Sequence, residues 1–170
     1  LCINDLKLAL PHSNLHVPTA SVTFNHDKTK LGYLSLEAKG AISPNDLTPI
    51  SNFRITDDRP IAFNCEVEGS LNALDVHSLS INDPYKQLFL QASGHVNNLQ
   101  ENKQRITAEA TIQRLFVTSE LATIYKQIDI LDRLEFADIS GQVTYAGQNF
   151  ITDLDIVTKL GNAQVEGKID

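Results

Sequence analysis

The feature that most constrains this chain is a two-residue alternation of aliphatic and polar side chains, repeated along most of its length. Ile61, Phe63, Cys65 and Val67 alternate with Asn64, Glu66 and Glu68. Ile106, Ala108, Ala110 and Ile112 alternate with Thr107, Glu109, Thr111 and Gln113. Only an extended strand places residues i, i+2 and i+4 on one side. Runs of this kind therefore predict half-buried strands, apolar on one face and polar on the other.

The same reading covers the rest of the chain. Leu6, Leu8 and Leu10 share a face opposite Lys7 and Ala9, and Pro11 to Asn14 is a turn cluster. In the next run Leu15 and Val17 hand the apolar face to Ala20, Val22 and Phe24. That phase slip falls at Pro18, which suits a bulge or an edge. Leu34, Leu36 and Ala38 make a third strand. After Leu74 and Val76 the phase slips again near Ser78, and Leu79 and Ile81 continue the strand. Leu88, Leu90 and Ala92 follow. Three further runs, Ile139 to Tyr145, Phe150 to Ile156 and Ala163 to Ile169, are joined by short Gly- or Asn-containing links suited to hairpins. The expectation is a mainly β chain of about nine antiparallel strands, because links this short exclude the crossovers that parallel neighbours need.

Two stretches break the alternation. In Ile42 to Phe53, Ser43 suits an N-cap, Pro44 the first helical position and Asp46 the positive end of the helix dipole. Leu47 and Ile50 then share a helical face. A second stretch, which Thr118 or Ser119 caps, places Leu121, Ile124, Tyr125, Ile128 and Leu131 at helical spacing. Two short helices are expected, with Leu47, Ile50, Leu121, Ile124 and Ile128 turned onto the apolar sheet face. Val67-Glu68-Gly69 matches Ile139-Ser140-Gly141, Ala92-Ser93-Gly94 matches Val165-Glu166-Gly167, and Asp46-Leu47 matches Glu120-Leu121, at offsets of 72, 73 and 74 positions. This reads as one continuous β fragment in three parts: a truncated first unit over 1–40, a repeat unit over 41–116 and a second, truncated unit over 117–170.

Composition removes several function classes. A net charge of −7, with basic residues spaced singly between acids, argues against nucleic acid. The chain lacks Met, so Leu1 is read as an internal residue of something longer. No run approaches the roughly 18 apolar residues of a membrane span. Cys2 and Cys65 either form one disulfide or are both small buried hydrophobes; the place of Cys65 on an apolar face favours free, buried thiols. The five histidines, His12, His16, His26, His77 and His95, fall in turns or on polar faces, and no metal-binding or phosphate-binding motif is present. The carboxylate pairs Asp57-Asp58 and Asp153/Asp155 read as a loop and a solvated face. No catalytic residue, metal ligand or cofactor is expected, and the chain reads as a non-enzyme.

The apolar face itself demands a partner. Burying each of its aliphatics is worth roughly 1.5–3 kcal/mol, and two short helices cannot cover so many strands. The sheet must fold into a sandwich, close into a barrel or curl into a trough that holds an apolar ligand.

The Gly-x-Leu and Gly-x-Val steps between amphipathic strands, with the phrase Ile42-Ser43-Pro44-Asn45-Asp46-Leu47 and the segment Leu8 to Val17, resemble the TamB proteins of the AsmA-like group of bacterial envelope proteins, the Bacteroidetes branch most of all. The resemblance implies an inner-membrane-anchored parent crossing the periplasm. It also implies a β-taco-like sheet curled into a hydrophobic groove, phospholipid or another acyl-chain ligand as cargo, and an Omp85-type outer-membrane barrel as partner. On that reading the groove lining is Leu6, Leu8, Leu10, Val22, Phe24, Leu34, Leu36, Phe63, Cys65, Val67, Leu88, Leu90, Ile106, Ile112, Val143, Leu154 and Ile156. The alternative is a structural or adhesive β-sandwich of a cell-envelope protein.

Overall fold

Every alternating run becomes a strand, and each strand pairs with the next one in sequence. The computed structural model describes residues 1–24, 31–47, 59–70, 72–99, 105–121, 133–147 and 149–169. The strands are β1 (Cys2–Ala9), β2 (Asn14–Phe24), β3 (Leu31–Ile42), β4 (Ile61–Ser70), β5 (Ala73–Asn82), β6 (Leu88–Asn97), β7 (Thr107–Thr118), β8 (Phe136–Ala146), β9 (Asn149–Thr158) and β10 (Gly161–Ile169). They form one antiparallel meander in the order β1 to β10. There are ten strands, not about nine, because each run named above is a separate strand.

The sheet is not closed. β1 pairs with β2 alone and β10 with β9 alone. Among the described residues no second layer covers it, and only Val17, Ala38, Leu121 and Ala137 are buried hydrophobics. A face-to-face sandwich would bury its whole inner surface. The chain exposes 11409 Å², against about 8,300 Å² expected of a compact folded chain of 18.8 kDa.

The two interruptions lie at one rim, since both follow odd-numbered strands in an up-and-down meander. Helix α1 (Pro44–Leu47) starts as expected, after Ser43 and with Asp46 in its first turn. Its expected continuation to Phe53 lies outside the described residues. At the second interruption Val117 and Thr118 end β7, because their backbones continue the ladder to Ala137 and Phe136. Helical backbone then runs over Ser119, Glu120 and Leu121, directly after the cap position expected at Thr118, and residues 122–132 lie outside the described set. The unit limits drawn at 40/41 and 116/117 fall inside β3 and β7.

Three strands carry an extra residue in mid-strand; a further shift, between Thr23 and Phe24, leaves Gly32 extra near the start of β3. In β2 the register against β3 shifts between His16 and Thr19, at Pro18. In β5 it shifts at His77 and Ser78 against both neighbours. In β7 it shifts around Gln113 and Arg114. The first two were legible as phase slips. The third was missed, so β7 runs six residues past Ile112 and adds Leu115 and Val117 to the apolar face. Traced through the pairings, the three bulges fall within a residue or two of one line across the sheet. Asp5, at φ 56°, meets that line in β1, and Gly141, at φ 137°, meets it in β8.

Candidate functional site

Pairing registers assign each residue to a face, because directly opposed residues in an antiparallel ladder point the same way. One row runs Leu36↔Val67↔Val76↔Gly94↔Ala110↔Val143. The row beside it runs Ala38↔Cys65↔Leu79↔Ala92↔Ile112↔Gly141↔Leu154. Leu6 and Leu8 join through Val17 and Leu15, Val22 through Leu34, Phe63 through Ile81 and Leu90, and Ile156 through Ile139. Leu88 sits opposite Val117, and Phe24 continues the alternation of β2. The bulges keep this face apolar: each extra residue absorbs the phase slip that would otherwise turn the second half of its strand outward.

All of the strand positions named as lining therefore share one face. Leu10 lies just past β1, and Ile106 just before β7. Exposure grades along the face. Leu36, Val67, Leu90, Ile112 and Val143 are half-buried, whereas Leu6, Leu8, Leu10 and Phe24 are exposed. Of the helical positions, Leu121 is buried. Ile50, Ile124 and Ile128 lie outside the described residues, as does the side chain of Leu47. The nearest approach to a core is Ala137, packed by Val117, Leu134 and Ile139.

Glycines on this face allow close approach between strands. A Cβ on Gly141 would collide with the carbonyl oxygen of Asp153, and one on Gly69 with that of Ala73. Both have the positive φ that disfavours other residues.

The opposite face is polar and held by local pairs. His16 meets Asp5 at 2.7 Å, His95 meets Asp75 at 2.6 Å, and His77 meets Glu68 at 3.3 Å. Tyr33 donates to Glu68. The hydrogen bonds from Tyr33 and His77 hold the Glu68 carboxyl below its ordinary range, and that to Glu68 pushes the Tyr33 phenol up. Hydrogen bonds to Asp75 and then Asn97 raise the His95 imidazole. No group of three His, Cys, Asp or Glu among the described residues could hold a metal ion. Asp153 and Asp155 are exposed here, while Asp57, Asp58 and His26 lie outside the described residues.

Sequence reasoning missed an apolar patch on this polar face. Phe116 stacks on Phe136 with ring centres 5.9 Å apart, and the Arg114 guanidinium lies 5.4 Å from Phe116 and 5.8 Å from Phe89. Asp138 holds Arg114 through a bidentate pair at 2.7–3.1 Å. The bulge at Gln113 hid it, since an unbroken alternation from Ile112 places Arg114 and Phe116 on the apolar face.

Both cysteines are free. Cys2 lies on the polar face of β1 and is exposed, contrary to the buried position expected. Cys65 lies on the apolar face of β4, where burial raises its thiol pKa. Three interstrand spacings of ~4.8 Å separate β1 from β4, and the two thiols lie on opposite faces, beyond disulfide reach.

At the helix-bearing rim, the Ser43 N–H donates to Ser13 Oγ at 2.9 Å and the His12 N–H to Asp46 Oδ2 at 3.1 Å. These bonds hold α1 beside the β1–β2 turn, next to a partly open cavity of about 200 Å³ lined by Leu8, Ala9, Leu10, Ser13, Asn14, Leu15, Ile42 and Asp46. No family model, characterised protein or solved structure matches the chain.

Proposed function

We propose that this chain is a section of a periplasm-spanning bridge in the bacterial envelope. Its apolar sheet face carries phospholipid acyl chains between the inner and outer membranes, or supports outer-membrane protein assembly with an Omp85-type barrel through the parent protein. The observation that carries the reading is an apolar face continuous over ten paired strands and left uncovered by the described residues. An aliphatic surface of that extent does not stay in water unattended. The TamB-like phrasing of the strands and of Ile42 to Leu47 supplies the envelope setting. The bulge line and the glycines of the apolar face favour a curled sheet, because bulges and glycine kinks are how sheets bend.

The test is retention of lipid. Purified chain is expected to carry phospholipid or detergent in native mass spectrometry, and an apolar dye is expected to bind the folded state. Leu36→Asp and Val67→Asp should each weaken dye and lipid binding at least about tenfold while the β circular dichroism persists. Identical spectra from native and delipidated samples, with no dye binding, would sink the proposal.

A further inference from the structure

The cavity under α1 differs from the rest of the apolar face in being partly enclosed. Leu8 and Leu15 are paired neighbours on that face, Ile42 closes β3, and α1 and the β1–β2 turn form the rim wall. Two of its polar lining atoms are engaged in hydrogen bonds, and Asn14 is turned away. Ser13 Oγ accepts the Ser43 N–H, and Asp46 Oδ2 accepts the His12 N–H. Asn14 pairs with Ala9 and Ala41 on the polar side and is exposed. A water needs two to four polar partners to settle in such a place, and apolar cavities of roughly 150 Å³ stay dry and take benzene or xenon. At about 200 Å³ this one is large enough for an apolar guest. Leu8 and Leu10 beside it are 49% and 59% exposed, so a guest would cover aliphatic surface now in water.

Charge decides which end of an amphiphile enters. Among the described residues no Lys or Arg lines the cavity, and the one ionisable lining group is the Asp46 carboxylate. An anionic head group placed there would meet like charge with no cation to offset it. We infer that this cavity is a binding site for the methyl end of an acyl chain, which it holds against the helix-bearing rim while the head group lies away from it. The inference rests on the acyl-chain reading of the apolar face and adds a polarity and a stopping point to it.

The experiment uses the full 170-residue chain with methyl-labelled Leu and Ile, and two stearic acid probes, one with a nitroxide near the methyl end and one with it near the carboxylate. Binding of both probes to the apolar face is measured first, by displacement of the dye. With the methyl-end probe, paramagnetic broadening of Leu8, Leu15 and Ile42 should exceed that from the carboxylate-end probe at least about threefold. Leu15→Phe, which fills the cavity, should abolish that excess while dye displacement persists. Should Leu15→Phe fail to fold, the two-probe contrast on the unaltered chain decides alone. Equal broadening by both probes, or the reverse order, overturns the inference and leaves the face reading standing. Absence of dye displacement overturns both.

Discussion

The two faces of the sheet use the same backbone and opposite chemistry. On the polar face, His16, His77 and His95 each meet a carboxylate across neighbouring strands, and Arg114 is gripped by Asp138. Such exposed pairs contribute little, typically 0.2–1 kcal/mol, and water satisfies whatever they leave. On the apolar face nothing comparable is available: Leu36, Val67, Ile112 and Val143 gain only by leaving water, and they are only half-buried, with no second layer among the described residues. The polar face is finished as it stands, whereas the apolar face has unspent driving force. That asymmetry is why function is sought on the apolar side, although the ionisable groups lie mostly on the other.

The sharpest way to break the comparison is to add one methyl to the apolar face at Gly141. Its φ of 137° is unfavourable for alanine, and the new Cβ would strike the backbone of β9. Gly141→Ala should lower the unfolding free energy by about 3 kcal/mol or more in urea titration. Gly167→Ala, on the same face but with only the Thr152 hydroxyl near, should be within about 1 kcal/mol of the parent. Equal effects would show that the close approach of β8 and β9 carries no cost.

A charge placed on each face comes next. Leu36→Asp should destabilise by about 2–3 kcal/mol, since a carboxylate would replace an aliphatic inside an apolar row. Ser35→Lys, one residue away and opposite Glu68 on the polar face, should stay within about 0.5 kcal/mol. Similar losses at both positions would mean that the face assignment is wrong.

The cysteines offer a gentler probe, one for each face. Alkylation of Cys2 should outpace that of Cys65 at least about tenfold in the folded state, because Cys65 is half-buried and its thiol is pushed up. Lipid on the apolar face should slow Cys65 further and leave Cys2 unchanged.

The smallest effect is on pH. The His95 imidazole holds its proton to higher pH in the folded chain than in the unfolded one. Its contribution is therefore fully present below the unfolded value of about 6.5 and is lost as pH rises through the folded value. Histidine NMR titration should show this, and Asp75→Asn should return His95 toward its ordinary range. A titration unmoved by Asp75→Asn would remove the Asp75 hydrogen bond as the cause.

The sequence by itself determined which residues share a face. Period two is a geometric property of the extended chain, so Leu34, Leu36, Phe63, Cys65, Val67, Leu154 and Ile156 could be placed together without coordinates. It also determined strand order, because links as short as Ala146 to Asn149 permit only neighbouring antiparallel strands. The bulges at Pro18 and at His77–Ser78 were legible because the apolar residues change phase around them. The bulge in β7 was not, since Leu115, Phe116 and Val117 are apolar in succession and either phase fits. Only the tertiary structure decided that the bulges lie along one line, that Cys2 and Cys65 occupy opposite faces, that Phe89, Phe116 and Phe136 gather with Arg114 on the polar side, and that α1 sits beside the β1–β2 turn next to a cavity. Each of these depends on register between strands distant in sequence, and local alternation carries no information about register.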